Sequence, residues 1–243
     1  MLAAFCLRLS LGLVAFLPLL PAKQMHPRFF RTQFLTALGL SIVALLMGYD
    51  SGSYLLWSLI AAVVVSFLGS LIWTLEPPPF GCLFGWLATA VFAVGTAHLA
   101  SERFDGIVWA DAITSGLLLG SAVTAMLVGH SYLISPGLTI RPLMTMLMVC
   151  AVCWLARAAV MGLATVPLFL ANTGMISNDY WHWFVPRCLI GLGGPLVFGI
   201  LSYRTARIRS TQSATGILYV VVICTFIGEL FGMLITRTTG TPA

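Results

Sequence analysis

From Leu2 to Ile235 the sequence alternates between apolar runs of about twenty residues and short, turn-rich breaks. An α-helical run of that length crosses the ~30 Å hydrocarbon core of a bilayer, because each residue adds about 1.5 Å. No water-soluble core has room for so many such runs. Of the 243 residues, 60% are hydrophobic and only 8% charged, where a soluble domain carries about 25% charged residues. The chain is therefore expected to be all-α and polytopic, a bundle of transmembrane helices forming a single integral membrane domain over residues 1–243.

A hydropathy window of about 19 residues places eight spans, at about 2–20, 33–47, 54–75, 81–99, 107–133, 144–170, 184–203 and 217–235. The second is short and is expected to draw in Phe29 and Phe30. Turn formers fill the breaks: Tyr49-Asp50-Ser51-Gly52, Glu76-Pro77-Pro78-Pro79, Ser135-Pro136-Gly137 and Asn172-Thr173-Gly174. Residues Met1–Ala22 have some character of a secretory signal. No charge precedes Arg8, however, and the segment reads as a retained first helix.

Loop charge sets the expected orientation. Lys23, Arg28, Arg31, Arg141, Arg204, Arg207 and Arg209 fall on one side with Glu76; Arg103 and Arg237 fall on the other, with Asp50, Glu102, Asp105 and Asp179. The positive-inside rule makes the basic side cytoplasmic and puts both termini outside, which suits a bacterial cytoplasmic (inner) membrane. The net charge of +5 is scattered between spans rather than gathered on one face, so nucleic acid is not an expected partner.

Five charged residues lie inside the spans: Arg8, Asp111, Arg157, Arg187 and Glu229. Each costs about 2.5–3.5 kcal/mol or more to insert unless it finds a partner or a wet cavity. Helical rise puts Arg187 and Asp111 about 5–6 Å below the outer boundary, Arg8 about 9 Å, Glu229 about 9–12 Å and Arg157 about 10–20 Å. All five thus share one outer layer, with His98 at the outer end of span four. They can pair with one another to set helix register, as Asp111 with Arg157 and Glu229 with Arg187. Three arginines against two acids leave one positive charge over. An anion, a quinone oxygen, haem propionates, a phosphate, a lipid headgroup or a partner subunit would answer it, each suited to the planar guanidinium fork.

Span seven carries Pro186-Arg187 and then Gly191-Leu192-Gly193-Gly194-Pro195, and a kink is expected at Gly193-Gly194-Pro195. Pro186 itself reads as a harmless first-turn proline. Glycines spaced four apart, Gly81 with Gly85, Gly116 with Gly120 and Gly228 with Gly232, read as helix-packing positions.

His98 and His182 fall at the outer boundary and His26 and His130 at the inner one. The outer pair is a candidate for both axial ligands of a b-type haem iron. Against this, Tyr180-Trp181-His182-Trp183 also reads as an aromatic interface anchor. The stretch from Gly129 to Gly137 brings His130 and Tyr132 to the inner end of span five. It reads either as a quinone or proton site or as a turn with an interfacial tyrosine. Cys150 and Cys153 form a C-x-x-C inside span six and read as small buried residues, and no disulfide framework is expected.

No H-E-x-x-H, G-x-S-x-G or Walker pattern is present, so no catalytic activity of the chain's own is expected. The leading expectation is an integral membrane subunit of a larger respiratory or photosynthetic electron-transfer complex. Membrane lipids and other subunits are its expected partners, and Arg157, Arg187, Asp111 and Glu229 face a haem, quinone, pigment, lipid or neighbour. The alternatives are a transporter or channel for a small anionic or lipid-like solute, and a scaffold without ligand chemistry.

Overall fold

Each α-helix of this chain keeps its backbone hydrogen bonds to itself, as a segment in hydrocarbon must. The structure, a computed structural model, describes residues 1–48, 52–75, 78, 80–101, 105–134, 138–170 and 178–239. Most of the expected turn residues, at 49–51, 76–77, 79, 135–137 and 172–174, lie outside these, as do Glu102, Arg103 and the side chain of Asp179. The described residues form helices and connections, with no strand among them. The helices are α1 (Leu2–Ala15), α2 (Pro27–Met47), α3 (Ser53–Ile72), α4 (Gly81–Ala100), α5 (Gly106–Ile134), α6 (Arg141–Leu170), α7 (Asn178–Pro186), α8 (Gly194–Arg207) and α9 (Thr211–Thr239). A 3-10 turn at Leu17–Leu19 extends α1, and a π-helical stretch at Arg187–Gly193 joins α7 to α8. Taken with these joints, eight helices are long and apolar enough to cross a membrane. The chain is an integral membrane protein with eight candidate spans.

Two boundaries differ from expectation in an informative way. The second span begins at Pro27, so Phe29 and Phe30 do belong to it. Proline suits the first helical position, and the His26 ring accepts the Arg28 N–H at 3.2 Å. The seventh span begins near Tyr180 rather than Phe184. The polar, aromatic segment before Phe184 is helical, which puts Arg187 about 10 Å along its span instead of 5–6 Å.

By contacts the chain divides into two units, Met1–Gly120 and Ser121–Ala243, with α5 contributing to both. In the first, α1 packs on α2 and α4, while α3 packs on both α2 and α4. Helix α1 is the centre of this unit: every residue from Cys6 to Ala15 is buried. Apart from Arg8 and Ser10 it is apolar all round, as suits an enclosed helix. Its approach to α5 is a glycine contact. A Cβ on Gly12 would fall among the backbone atoms of Gly116 and Gly120, and one on Gly116 would meet the Arg8 carbonyl at 2.6 Å. With Arg8 opposite Gly116 and Gly12 opposite Gly120, the two helices run parallel and four-residue steps match on both. Gly81 and Gly85 serve differently: they make room for the rings of Trp73 and Pro18.

In the second unit α8 packs on α6 and α9, and α7 packs on α9. The carboxyl-terminal end of α5 and the start of α6 are tied by Tyr132, whose hydroxyl donates to the Thr139 carbonyl at 2.5 Å and accepts the Leu143 N–H at 3.4 Å. Hydroxyls along the spans bond back to carbonyls one turn earlier, as Ser41 to Ala37, Thr165 to Met161 and Thr225 to Val221. Large apolar residues such as Trp57, Leu83, Leu163 and Leu189 are exposed, the outward face that a helix presents to lipid.

Glycine substitution separates close approach from mere small size. Gly12→Ala is expected to destabilise the protein by about 1–3 kcal/mol through overpacking. Gly39→Ala, where an added Cβ meets nothing within 4 Å, should be neutral or stabilise by about 0.5–1 kcal/mol. Thermal unfolding of the two variants in the same detergent, beside wild type, checks both signs.

Candidate functional site

The intramembrane charges resolve into one group within each unit. In the first, Arg8 on α1 meets Asp111 on α5, with 3.5 Å between Nη2 and Oδ2. Both are buried, Arg8 to 9% exposure and Asp111 to 3%. The contact follows from the glycine approach described above. Helical side chains lean toward the amino terminus, so Arg8, opposite Gly116, reaches back toward Asp111, about one and a half turns earlier on α5.

The second group joins α6, the π-helical stretch and α9. Arg157 donates from Nε to Glu229 Oε1 at 2.9 Å and from Nη2 to Oε2 at 3.0 Å. This is the bidentate fork that makes an arginine–carboxylate pair strong and directional. Glu229 thus takes Arg157 as its fork partner, where the sequence suggested Arg187. Arg187 lies one helical turn from this pair. Its Nε contacts the Met161 sulfur at 3.3 Å, one turn along α6 from Arg157, and its Nη1 donates to the Gly228 carbonyl at 3.3 Å. Arg157, Arg187 and Glu229 are all at most 4% exposed.

Glycines hold this arrangement in register. Gly191 and Gly228 meet backbone to backbone, so the π-helical stretch and α9 touch there. One turn further along each helix of this antiparallel pair, Arg187 stands opposite Gly232. A Cβ on Gly232 would occupy the position of Arg187 Nη1. Gly228 and Gly232 therefore do two jobs: the first lets the helices touch, and the second seats a guanidinium.

The irregularity of span seven begins six residues before the expected break at Gly193-Gly194-Pro195 and ends on its first residue. It runs from Arg187 to Gly193, where Gly194 N–H bonds the Leu189 carbonyl five residues back. Pro186 closes α7 nine residues in, so it is no first-turn proline. Without an N–H it cannot bond the carbonyl of His182, and its ring crowds that carbonyl. Widening the next turns relieves the crowding, and Gly191, Gly193 and Gly194 offer no side chain to resist. The indole of Trp154 on α6 caps the stretch by donating to the Leu192 carbonyl at 2.9 Å. Pro195 then sits in the first turn of α8.

The histidines are less gathered. His98 on α4 is half-buried beside Trp109, with ring centroids 6.0 Å apart, in the first unit. His182 on α7 and His130 on α5 are exposed in the second. Tyr132 is engaged in the turn contacts given above. No three His, Cys, Asp or Glu residues converge as a metal site among the described residues. The six cysteines are free thiols; Cys150 and Cys153 are buried on α6.

Three features escaped the sequence reading. Met161 as a partner of Arg187 has no signal of its own. Gly232 does, since it stands three residues beyond Glu229 and four beyond Gly228. Gln33 on α2 is 2% exposed, and both its side-chain amide atoms lack a hydrogen-bond partner among the described residues. A glutamine at the head of an apolar run was the available hint.

Together these features define a polytopic integral membrane protein with a buried arginine–glutamate cluster at a π-helical joint. The chain matches no protein-family model, no curated protein and no solved structure.

Removing one partner strands the other in a dry site. Glu229→Ala is expected to lower stability by about 3–5 kcal/mol, whereas the apolar double replacement Arg157→Met with Glu229→Leu should recover most of it. Gly232→Ala and Arg187→Gln should likewise be non-additive, because the shortened side chain vacates the space that the new methyl needs. Denaturation of the singles and doubles in detergent reads both couplings.

Proposed function

We propose that this chain is the membrane subunit of a larger respiratory or photosynthetic electron-transfer complex. In this reading it lies in a bacterial cytoplasmic membrane, with its basic loops inside and both termini outside. The carrying observation is the Arg157–Glu229–Arg187 cluster, fully buried and seated at an interruption of span seven. Well-packed hydrophobic residues replace a buried ion pair at little or no loss of stability. A scaffold therefore has small need of such a cluster, and ionisable groups inside a membrane are functional by default. π-Helical turns, too, occur frequently at functional sites.

The connections between described helices are short, leaving the chemistry to the membrane layer and to partners. Guanidinium groups in low dielectric suit an electron-rich oxygen: a quinone carbonyl, a haem propionate or a pigment carbonyl. The chain holds and orients; the redox group supplies the electron chemistry.

A transporter or channel for a small anionic or lipid-like solute is the second reading, favoured by the interrupted helix beside buried Arg187. Purification from native membranes under mild conditions separates the two. The electron-transfer reading expects partner subunits and a stoichiometric haem, quinone or pigment in the preparation, with occupancy lowered at least about tenfold by Arg187→Gln, the loss of one charged contact. A colourless, quinone-free, solitary chain that carries radiolabelled phosphate or chloride into liposomes, and stops doing so as Arg187→Gln, would replace it with transport.

A further inference from the structure

A second feature of the Ser121–Ala243 unit is independent of the charge cluster. A groove of about 360 Å³ opens between α6, α8 and α9. Its walls are apolar, with Leu155, Leu196, Ile200 and Val221 among them, and no acidic residue lines it. Along α8 it extends from Pro195 in the first turn to Arg207 in the last. That is about 18 Å of helix, close to the ~15 Å depth of a single leaflet. Its end at the last turn of α8 carries Tyr203, Arg204 and Arg207. Both arginines are exposed.

The shape and the charge point to an amphipath with one anionic end. We propose that this groove is a binding site for an anionic phospholipid. One acyl chain lies along α8, and the headgroup phosphate is held by the guanidinium groups of Arg204 and Arg207. Two cations at the mouth of an otherwise apolar channel complement a phosphodiester and discriminate against a zwitterionic headgroup, whose own ammonium cancels the charge. Fork-shaped donors suit phosphate oxygens in particular. Gly199 makes the chain's path possible: a Cβ there would meet nothing within 4 Å, so the missing side chain is open groove. Trp154 lines the same groove while its indole N–H holds the π-helical carbonyl. The bound chain therefore rests against the residue that steadies span seven.

The test uses the full chain in mild detergent, offered phosphatidylglycerol and phosphatidylcholine of identical acyl chains, with retained lipid read by native mass spectrometry. Wild type should keep one phosphatidylglycerol with a preference of about tenfold or more. Arg204→Gln with Arg207→Gln should bring that preference close to unity without changing the melting temperature, since both side chains are exposed. Gly199→Leu should reduce retention of both lipids by filling the path. Equal retention of the two lipids by wild type overturns the proposal. So does a preference that survives the double arginine variant, or a groove occupied by a partner's helix in material taken from native membranes.

Discussion

A guanidinium in hydrocarbon has no water to turn to, and the neighbourhoods of Arg8, Arg157 and Arg187 are built around that constraint. Arg157 meets it with a carboxylate presented edge-on by α9. Arg8 meets it with Asp111. Arg187 is received by a sulfur and a backbone carbonyl at a place where α9 carries no side chain. For Arg8 and Arg187 glycine comes first. Gly116 and Gly120 bring α1 against α5, and Gly191 and Gly228 bring span seven against α9. Only then are the polar atoms near enough to bond. Hydrophobic association supplies little between helices already dissolved in lipid, so close backbone packing takes its place.

Trp154 shows how the parts of the second unit are joined. Its indole N–H answers a carbonyl of the π-helical stretch, and its ring forms part of the groove wall. The same helix α6 carries Arg157 one turn further on. A single helix face thus bears on the charge cluster, the helix interruption and the lipid-facing groove.

The spans were legible in the sequence because hydropathy integrates over some twenty residues and forgives local detail. All eight were found, and the short second span was extended correctly into Phe29 and Phe30. The charged residues were legible as anomalies for the same reason. Their partners were not, because pairing depends on helix neighbours and rotation that one-dimensional depth does not carry. The start of span seven was placed late, since Tyr180-Trp181-His182-Trp183 has the composition of an interface yet winds as helix. The glycine pairs were seen as packing positions. That Gly232 seats an arginine required knowing which residue stands opposite.

The π-helical stretch has a further effect, on phase. A turn closed five residues back takes about one residue more than an α-helical turn, and each residue of an α-helix advances about 100° around the axis. Span seven is thus one continuous backbone whose helical phase changes between Arg187 and Gly193. Its earlier part turns Arg187 and Gly191 onto α9. Its later part turns Gly199 and Ile200 into the groove beside α6. Reading a 3.6-residue period straight through Pro186 assigns one half to the wrong face. The extra residue shifts every face that follows it by about a quarter of a turn.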